Sequence, residues 1–172
     1  MVPLLFDLQK IVACVNRGDV SSAVLIFAVP CGAIPEYMKE REMRALIDRH
    51  LEAEGRGDVD GALAVYTDDV EHDVVGFPDG LHHSKAGARD FYVQLTANFL
   101  AETWSERRRF VTDDAMILEQ DMTGTVTGSM LGVPGRGRRI TFRMLHVFEF
   151  RDGLISRENV WIDGASVIAQ LS

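Results

Sequence analysis

Partway along the chain the spacing of its apolar residues changes. Upstream they recur every three or four positions; from Trp104 onward they alternate with polar ones nearly to the end. The candidate strands are Trp104 to Val111, Ala115 to Thr127, Arg138 to Phe150 and Leu154 to Asp163. Between them stand Asp113-Asp114, a Gly/Pro loop from Gly128 to Gly137, and Asp152-Gly153. Asp-Gly between two alternating runs is a strong hairpin signal. Strands joined by such short turns pair antiparallel, and strict alternation buries one face of the sheet only. The helical segments upstream are what remains to cover that face.

Those segments read clearly. Met43, Leu46, Ile47, His50, Leu51 and Glu54 fall on one stripe of a helix that starts at Glu40 and stops at Gly55 and Gly57. Asp58 caps a short helix, Val59 to Tyr66, and Thr67-Asp68-Asp69 turns the chain into a strand, Val70 to Val75. Gly76, Pro78 and Asp79-Gly80 close that strand. Ser84 then caps a helix with apolar positions Ala88, Phe91, Leu95 and Phe99, and a short helix, Ala165 to Leu171, ends the chain. Helices followed by a long antiparallel run predict an α+β fold. A curved, mostly antiparallel sheet should wrap around the N-terminal helices as a cone-shaped barrel with one pocket. Residues 40–172 form this domain; residues 1–39 are an apolar extension of uncertain structure ending in a Pro/Gly-punctuated linker.

Composition narrows the partners. The 172 residues are 47% hydrophobic and 26% charged, enough apolar material for a core without disulfides or metal. A net charge of −8 repels polyphosphate, and the basic runs Arg107-Arg108-Arg109 and Arg136 to Arg139 are short, so no nucleic-acid partner is expected. Both cysteines, Cys14 and Cys31, precede the domain, and no Cys/His spacing reads as a zinc site. The apolar run Ala23 to Ile34 is shorter than the roughly 20 residues a helix needs to span a bilayer, and the N-terminus lacks a basic start. A cytoplasmic protein with no membrane partner is expected.

Four residues could carry chemistry. Asp73 lies among Val74, Val75 and Gly76; period two puts it on a face with Glu71 and Val75, opposite His72. Facing an apolar cavity it would lose hydration and become a better base near neutrality; at a wet strand end it would not. His146 shares a face with Phe142, Met144, Phe148 and Phe150, as a satisfied core histidine or as a donor or acid–base group. His50 sits on the apolar stripe of the first helix. Glu158, between Ile155 and Val160, is an inward carboxylate or an edge charge, and the alternation does not fix which. His82-His83 lies in a Gly/Pro-flanked loop with no third ligand near in sequence, a weak metal motif.

These residues resemble a known group. Tyr66-Thr67-Asp68-Asp69, His72-Asp73-Val74-Val75-Gly76 and Ala86-Gly87-Ala88-Arg89-Asp90-Phe91-Tyr92 look like the start of ketosteroid isomerases and their relatives. Glu119 to Thr127, Gly132-Val133-Pro134, Arg139-Ile140-Thr141-Phe142, Val147 to Gly153 and Arg157-Glu158-Asn159-Val160-Trp161-Ile162-Asp163 look like SnoaL-type polyketide cyclases. Both belong to the nuclear-transport-factor-like cone fold. The resemblance, over residues 41 to 171, implies Asp73 as the base beside a substrate carbonyl. It places His50 where the isomerases carry a hydrogen-bonding Tyr, His146 where they carry a protonated acid, and Glu158 as a further acid. It implies a cyclase or isomerase without cofactor or metal, acting on a small hydrophobic carbonyl compound. Tyr66, Phe91, Leu95, Phe142, Met144 and Phe148 are expected to line the pocket, and Trp161 suggests a homodimer through the sheet's outer surface. The alternatives are a non-catalytic binding or dimerisation module, or an epoxide hydrolase or dehydratase-like enzyme, for which Arg143 and Arg157 are available to an Asp–Arg–Asp relay.

Overall fold

The computed structural model describes residues 38–77 and 80–172. The expected N-terminal extension, with Cys14 and Cys31, and the turn at Pro78-Asp79 lie outside the described residues. Helices α1 (Glu40–Gly55) and α2 (Val59–Leu63) lead into strand β1 (Tyr66–Val75), then β2 (Leu81–His83) and helix α3 (Lys85–Asn98). Strands β3 (Phe99–Val111), β4 (Ala115–Val126), β5 (Ser129–Met130), β6 (Val133–Pro134), β7 (Arg138–Arg151) and β8 (Leu154–Ile162) follow, and helix α4 (Gly164–Leu171) closes the chain.

Local chemistry sets these limits. Met43, Leu46, Ile47, His50 and Leu51 are all buried on one stripe of α1. Gly57, at φ +69°, ends that helix in the left-handed region that glycine enters without strain. The Asp58 carboxylate then accepts from the Gly61 amide at 2.9 Å and starts α2. Ser84 and Asp163 cap α3 and α4 in the same way.

Six strands form one sheet in the order β2-β1-β8-β7-β4-β3. Every pairing is antiparallel except β1 with β8, which run parallel near the middle of the sheet. The register of β3 on β4 shifts twice, and such irregularities bend a sheet. The sheet nevertheless stays open, with three-residue β2 at one edge and β3 at the other. Along β4, Met116, Leu118, Gln120, Met122 and Val126 are buried at every second position. On β7, Ile140 to Phe150 do the same. This face and the buried sides of α1 and α3 form one continuous core.

Gly124 occupies an inward position on β4, opposite Ala101. A Cβ there would meet the Phe99 ring and stand 2.5 Å from the Leu100 carbonyl oxygen. Backbone cannot swing aside as a side-chain tip can, and glycine inside a strand marks such a close approach. Gly124→Ala is therefore expected to destabilise the fold by about 1–3 kcal/mol, read from urea unfolding midpoints. A variant as stable as the parent would show that β3 and β4 tolerate separation here.

Candidate active site

The inner face carries apolar side chains except at a few points, and those points converge. His50 reaches down from α1, Tyr92 from α3, Tyr66 from β1, Glu158 from β8 and His146 from β7. His50, Tyr66, Tyr92, His146 and Glu158 are all 3% exposed or less, so every polar atom among them must be answered from within the protein.

Glu158 is the hub. Its Oε2 accepts from the Tyr66 hydroxyl and, at 3.1 Å, from the Tyr92 hydroxyl. His50 Nε2 lies 3.4 Å from the same oxygen and 3.1 Å from the Tyr92 hydroxyl. The Nδ1–H of His50 donates to the Ala62 carbonyl at 3.0 Å, which fixes the ring with Nε2 toward the carboxylate. On the other side, His146 Nε2 stands 3.4 Å from Glu158 Oε1, and its Nδ1 stands 2.9 Å from Gln120 Oε1. A neutral imidazole has one N–H to give. It serves Gln120, or it serves Glu158 once the Gln120 amide turns over and donates to Nδ1.

The charges follow from the packing. Burial alone would push His50 toward its neutral form. The adjacent Glu158 carboxylate, the hydrogen bond to it, Glu54 and the Ala62 carbonyl outweigh burial and raise the pKa to about 9. For Glu158 burial pushes upward, but the His50 charge and hydrogen bond, with His72 and His146 beyond, hold it well below the usual carboxylate range. Burial and then the Glu158 charge push both tyrosines well above the usual phenol value, so they stay protonated and donate. Burial lowers His146 to about 4 against the pull of Glu158, and the His50 cation adds to the lowering. The result is one buried ion pair, His50 with Glu158, flanked by neutral donors.

This cluster forms one end of a narrow cleft, partly open to solvent, with a cavity volume of about 40 Å³. Leu95, Phe99, Met122, Met130, Phe142 and Met144 wall it, and its polar lining is Glu54, Tyr92, His146 and Glu158. A mostly apolar concavity with a few convergent polar groups is the usual form of a small-molecule site.

The structure thus brings together His50, His146 and Glu158 but not Asp73. From Val70 onward along β1 the buried positions are Val70, His72 and Val74, while Glu71, Asp73 and Val75 turn to the other face. Asp73 accepts from Asn159 Nδ2 at 3.0 Å, and Trp161 Nε1 donates to Asn159 Oδ1 at 2.6 Å on that same outer face. The expected base is therefore separated from His146 by the sheet. The parallel register with β8 decides this: it sets His72 against Glu158 and Asp73 against Asn159, and a one-residue slip would invert every side chain. Of the expected lining residues, Leu95, Phe142 and Met144 face the cleft. Tyr66 lies beneath it in the hydrogen-bonded cluster. Phe148 stacks under His146 at 5.2 Å, and Phe91 packs against His72 at 4.7 Å, so neither lines the cleft. Arg143 and Arg157 pair with Glu119, Glu71 and Glu149 on the outer face, leaving no arginine in the described cleft lining.

Four members went unread in the sequence. Gln120 interrupts the apolar series Met116, Leu118, Met122, which is a visible signal. Tyr92 stands beside Phe91, one position off the stripe. His72, expected opposite Asp73 on the outer face, is buried, with no hydrogen-bond partner for either ring nitrogen among the described residues. Glu54 shows in the sequence only as the last position of the apolar stripe of α1.

Residues 47–158 match the sequence model of the SnoaL-like domain family. No curated protein sequence matches the chain. Among solved structures, a protein assigned as a polyketide cyclase from Xanthomonas campestris pv. campestris is similar at 24% identity and TM-score 0.65, over 77% of this chain and 98% of that one. TsrD from Streptomyces laurentii is similar at 19% identity and TM-score 0.68, over 78% of this chain and 98% of that one. An LEH-like epoxide hydrolase from M. tuberculosis is similar at 20% identity and TM-score 0.61, over 80% of this chain and 92% of that one. Identities this low establish the fold and not the chemistry. No helix among the described residues is long and apolar enough to cross a membrane.

Proposed function

The chain belongs to the SnoaL-like domain family, and on that premise we propose that it is an acid–base enzyme for a small hydrophobic carbonyl compound. The ligand's apolar body lies along the Leu95, Phe99, Phe142 and Met144 walls, with its carbonyl at the polar end of the cleft. A proton leaves the carbon next to that carbonyl, and the resulting enolate either closes a ring or is reprotonated elsewhere. Both outcomes need a dry site with fixed donors near the developing oxyanion.

One observation carries the reading: His50 and Glu158 stand 3.4 Å apart, both buried, at the polar end of an apolar cleft that Glu158 lines. Burying such a pair costs desolvation that two well-packed apolar residues would avoid. Here it keeps a positive charge just behind Tyr92, where negative charge on a ligand oxygen would develop. Glu158 itself, saturated by donors and held far down in pKa, is a poor base. Its part is to keep His50 protonated.

The test needs no knowledge of the natural ligand. In D₂O the protein is expected to speed exchange of the protons beside the carbonyl of 2-tetralone, followed by NMR. His50→Gln should slow that exchange by about 10²-fold, as the loss of an aligned electrostatic donor does. Binding of 2-tetralone with no exchange above buffer would leave a binding module in place of an enzyme.

A further inference from the structure

Glu54 breaks two rules at once. It sits in the last turn of α1, where carbonyl ends point outward and the helix dipole disfavours negative charge, and that turn contains no basic residue. The acids of the first turn, Glu40 and Glu42, sit where the dipole favours them. The Glu54 side chain is also only 10% exposed and forms part of the cleft lining. Other acids of the domain meet guanidinium groups: Glu106 has Arg44 and Arg109, and Asp121 has Arg107. Glu54 meets His50 Nε2 at 3.9 Å, beyond hydrogen-bond reach, and that nitrogen is already turned to Glu158 and Tyr92. A carboxyl held at a helix end, in a mostly apolar cleft and with no strong donor, is free to gain and lose a proton. Violations of this kind gather at functional sites.

We propose that Glu54 is the catalytic acid–base residue of the cleft, taking the proton from the ligand's carbon as a carboxylate and returning it as an acid. The proposal rests on a ligand occupying the cleft as described above. The titratable groups around Glu54 are His50 on its own helix and, lining the same cleft, Tyr92 on α3, His146 on β7 and Glu158 on β8. Burial pushes the Glu54 carboxyl up to about 7, with the His50 cation opposing and the Glu158 charge reinforcing. Both protonation states are therefore populated near neutrality, as a group that must work in both directions requires.

The experiment uses 5-nitrobenzisoxazole, a flat apolar probe whose opening needs a base but no carbonyl. A carboxylate removes the ring C–H proton, the C–H electrons complete a nitrile, the N–O bond breaks, and the oxygen leaves as a coloured phenolate. The wild-type rate should rise with pH through a midpoint near 7. Glu54→Gln should lose about 10²-fold or more, and Glu54→Asp should restore part of the rate and keep the raised midpoint. In parallel, the ¹³Cδ resonance present in wild type and missing from Glu54→Gln should titrate near pH 7. Titration in the ordinary carboxylate range, an unaltered rate in Glu54→Gln, or no wild-type rate above buffer overturns the assignment. The carbonyl reading fails separately. If 2-tetralone exchange is absent while probe opening depends on Glu54, that reading falls and Glu54 stands; exchange that survives in Glu54→Gln sinks Glu54 alone.

Discussion

Glu158→Gln is expected to be the most damaging conservative substitution in this domain, lowering stability by about 3–5 kcal/mol, the usual result of removing one partner of a buried ion pair. The reason is the number of groups that lean on one carboxylate. Two tyrosine hydroxyls and His50 converge on its Oε2, and His146 faces its Oε1. A glutamine keeps the shape but removes the charge that holds His50 protonated, and its NH₂ must face donors on at least one side. His50 then either stays charged without a counter-ion or gives up its proton. A double-mutant cycle with His50→Gln separates these costs. The pair should couple by about 0.5–3 kcal/mol, since once the cation is gone the carboxylate has less to do. A Glu158→Gln protein within about 0.5 kcal/mol of the parent, the range of ordinary surface substitutions, would show the hub to be decorative.

A bell-shaped dependence of stability on pH, with its top near pH 6, is the second large effect expected. His72 and His146 are both lowered by burial to about 4, from 6.5 in an unfolded chain. Their contribution is present above 6.5 and disappears as pH falls toward 4. Glu158, also lowered, acts in the same direction at still lower pH. His50, raised to about 9, contributes below 6.5 and loses that contribution as pH climbs through 9. Glu54, raised to about 7 from 4.5, contributes at low pH and loses it as pH rises through 7. On the acid side the two histidines dominate, offset in part by Glu54, and on the alkaline side Glu54 and then His50 take over. Each limb falls by about 1 kcal/mol per pH unit, close to one proton's difference between folded and unfolded chains. Urea midpoints between pH 4.5 and 9.5 read the curve directly. A flat profile, or one still climbing at pH 8, would mean that these groups are not held in the states assigned here.

The fold was more legible than the site. β4 and β7 each carry one apolar phase, so the sequence allows a single choice of inner face, and His146 came with it. β1 is different, because Val74 and Val75 are adjacent and an ionisable residue stands at each of the two preceding positions. Either phase reads as plausible locally, and only pairing with β8 chooses between them. β8 blurs its own pattern, since Glu158, Asn159 and Val160 are all buried in succession. The local signal for Glu54 is its place on the apolar stripe of α1 alone; near a helix end a glutamate there still reads as a solvated charge until the packing of distant elements closes over it. β2, three residues in a Gly/Pro-flanked stretch, has too little length to show a period.

The parallel seam between β1 and β8 also governs how the molecule comes into being. A ribosome delivers His50, Tyr66 and Tyr92 long before Glu158, and β7 cannot be tied to β1 until the intervening strand exists. Until β8 is made, β1 with β2 and β7 with β4 and β3 have no strand to join them, and His50 lacks its counter-charge. Such distant pairing slows folding. The last strand to be made is the one that turns two fragments into a single chamber.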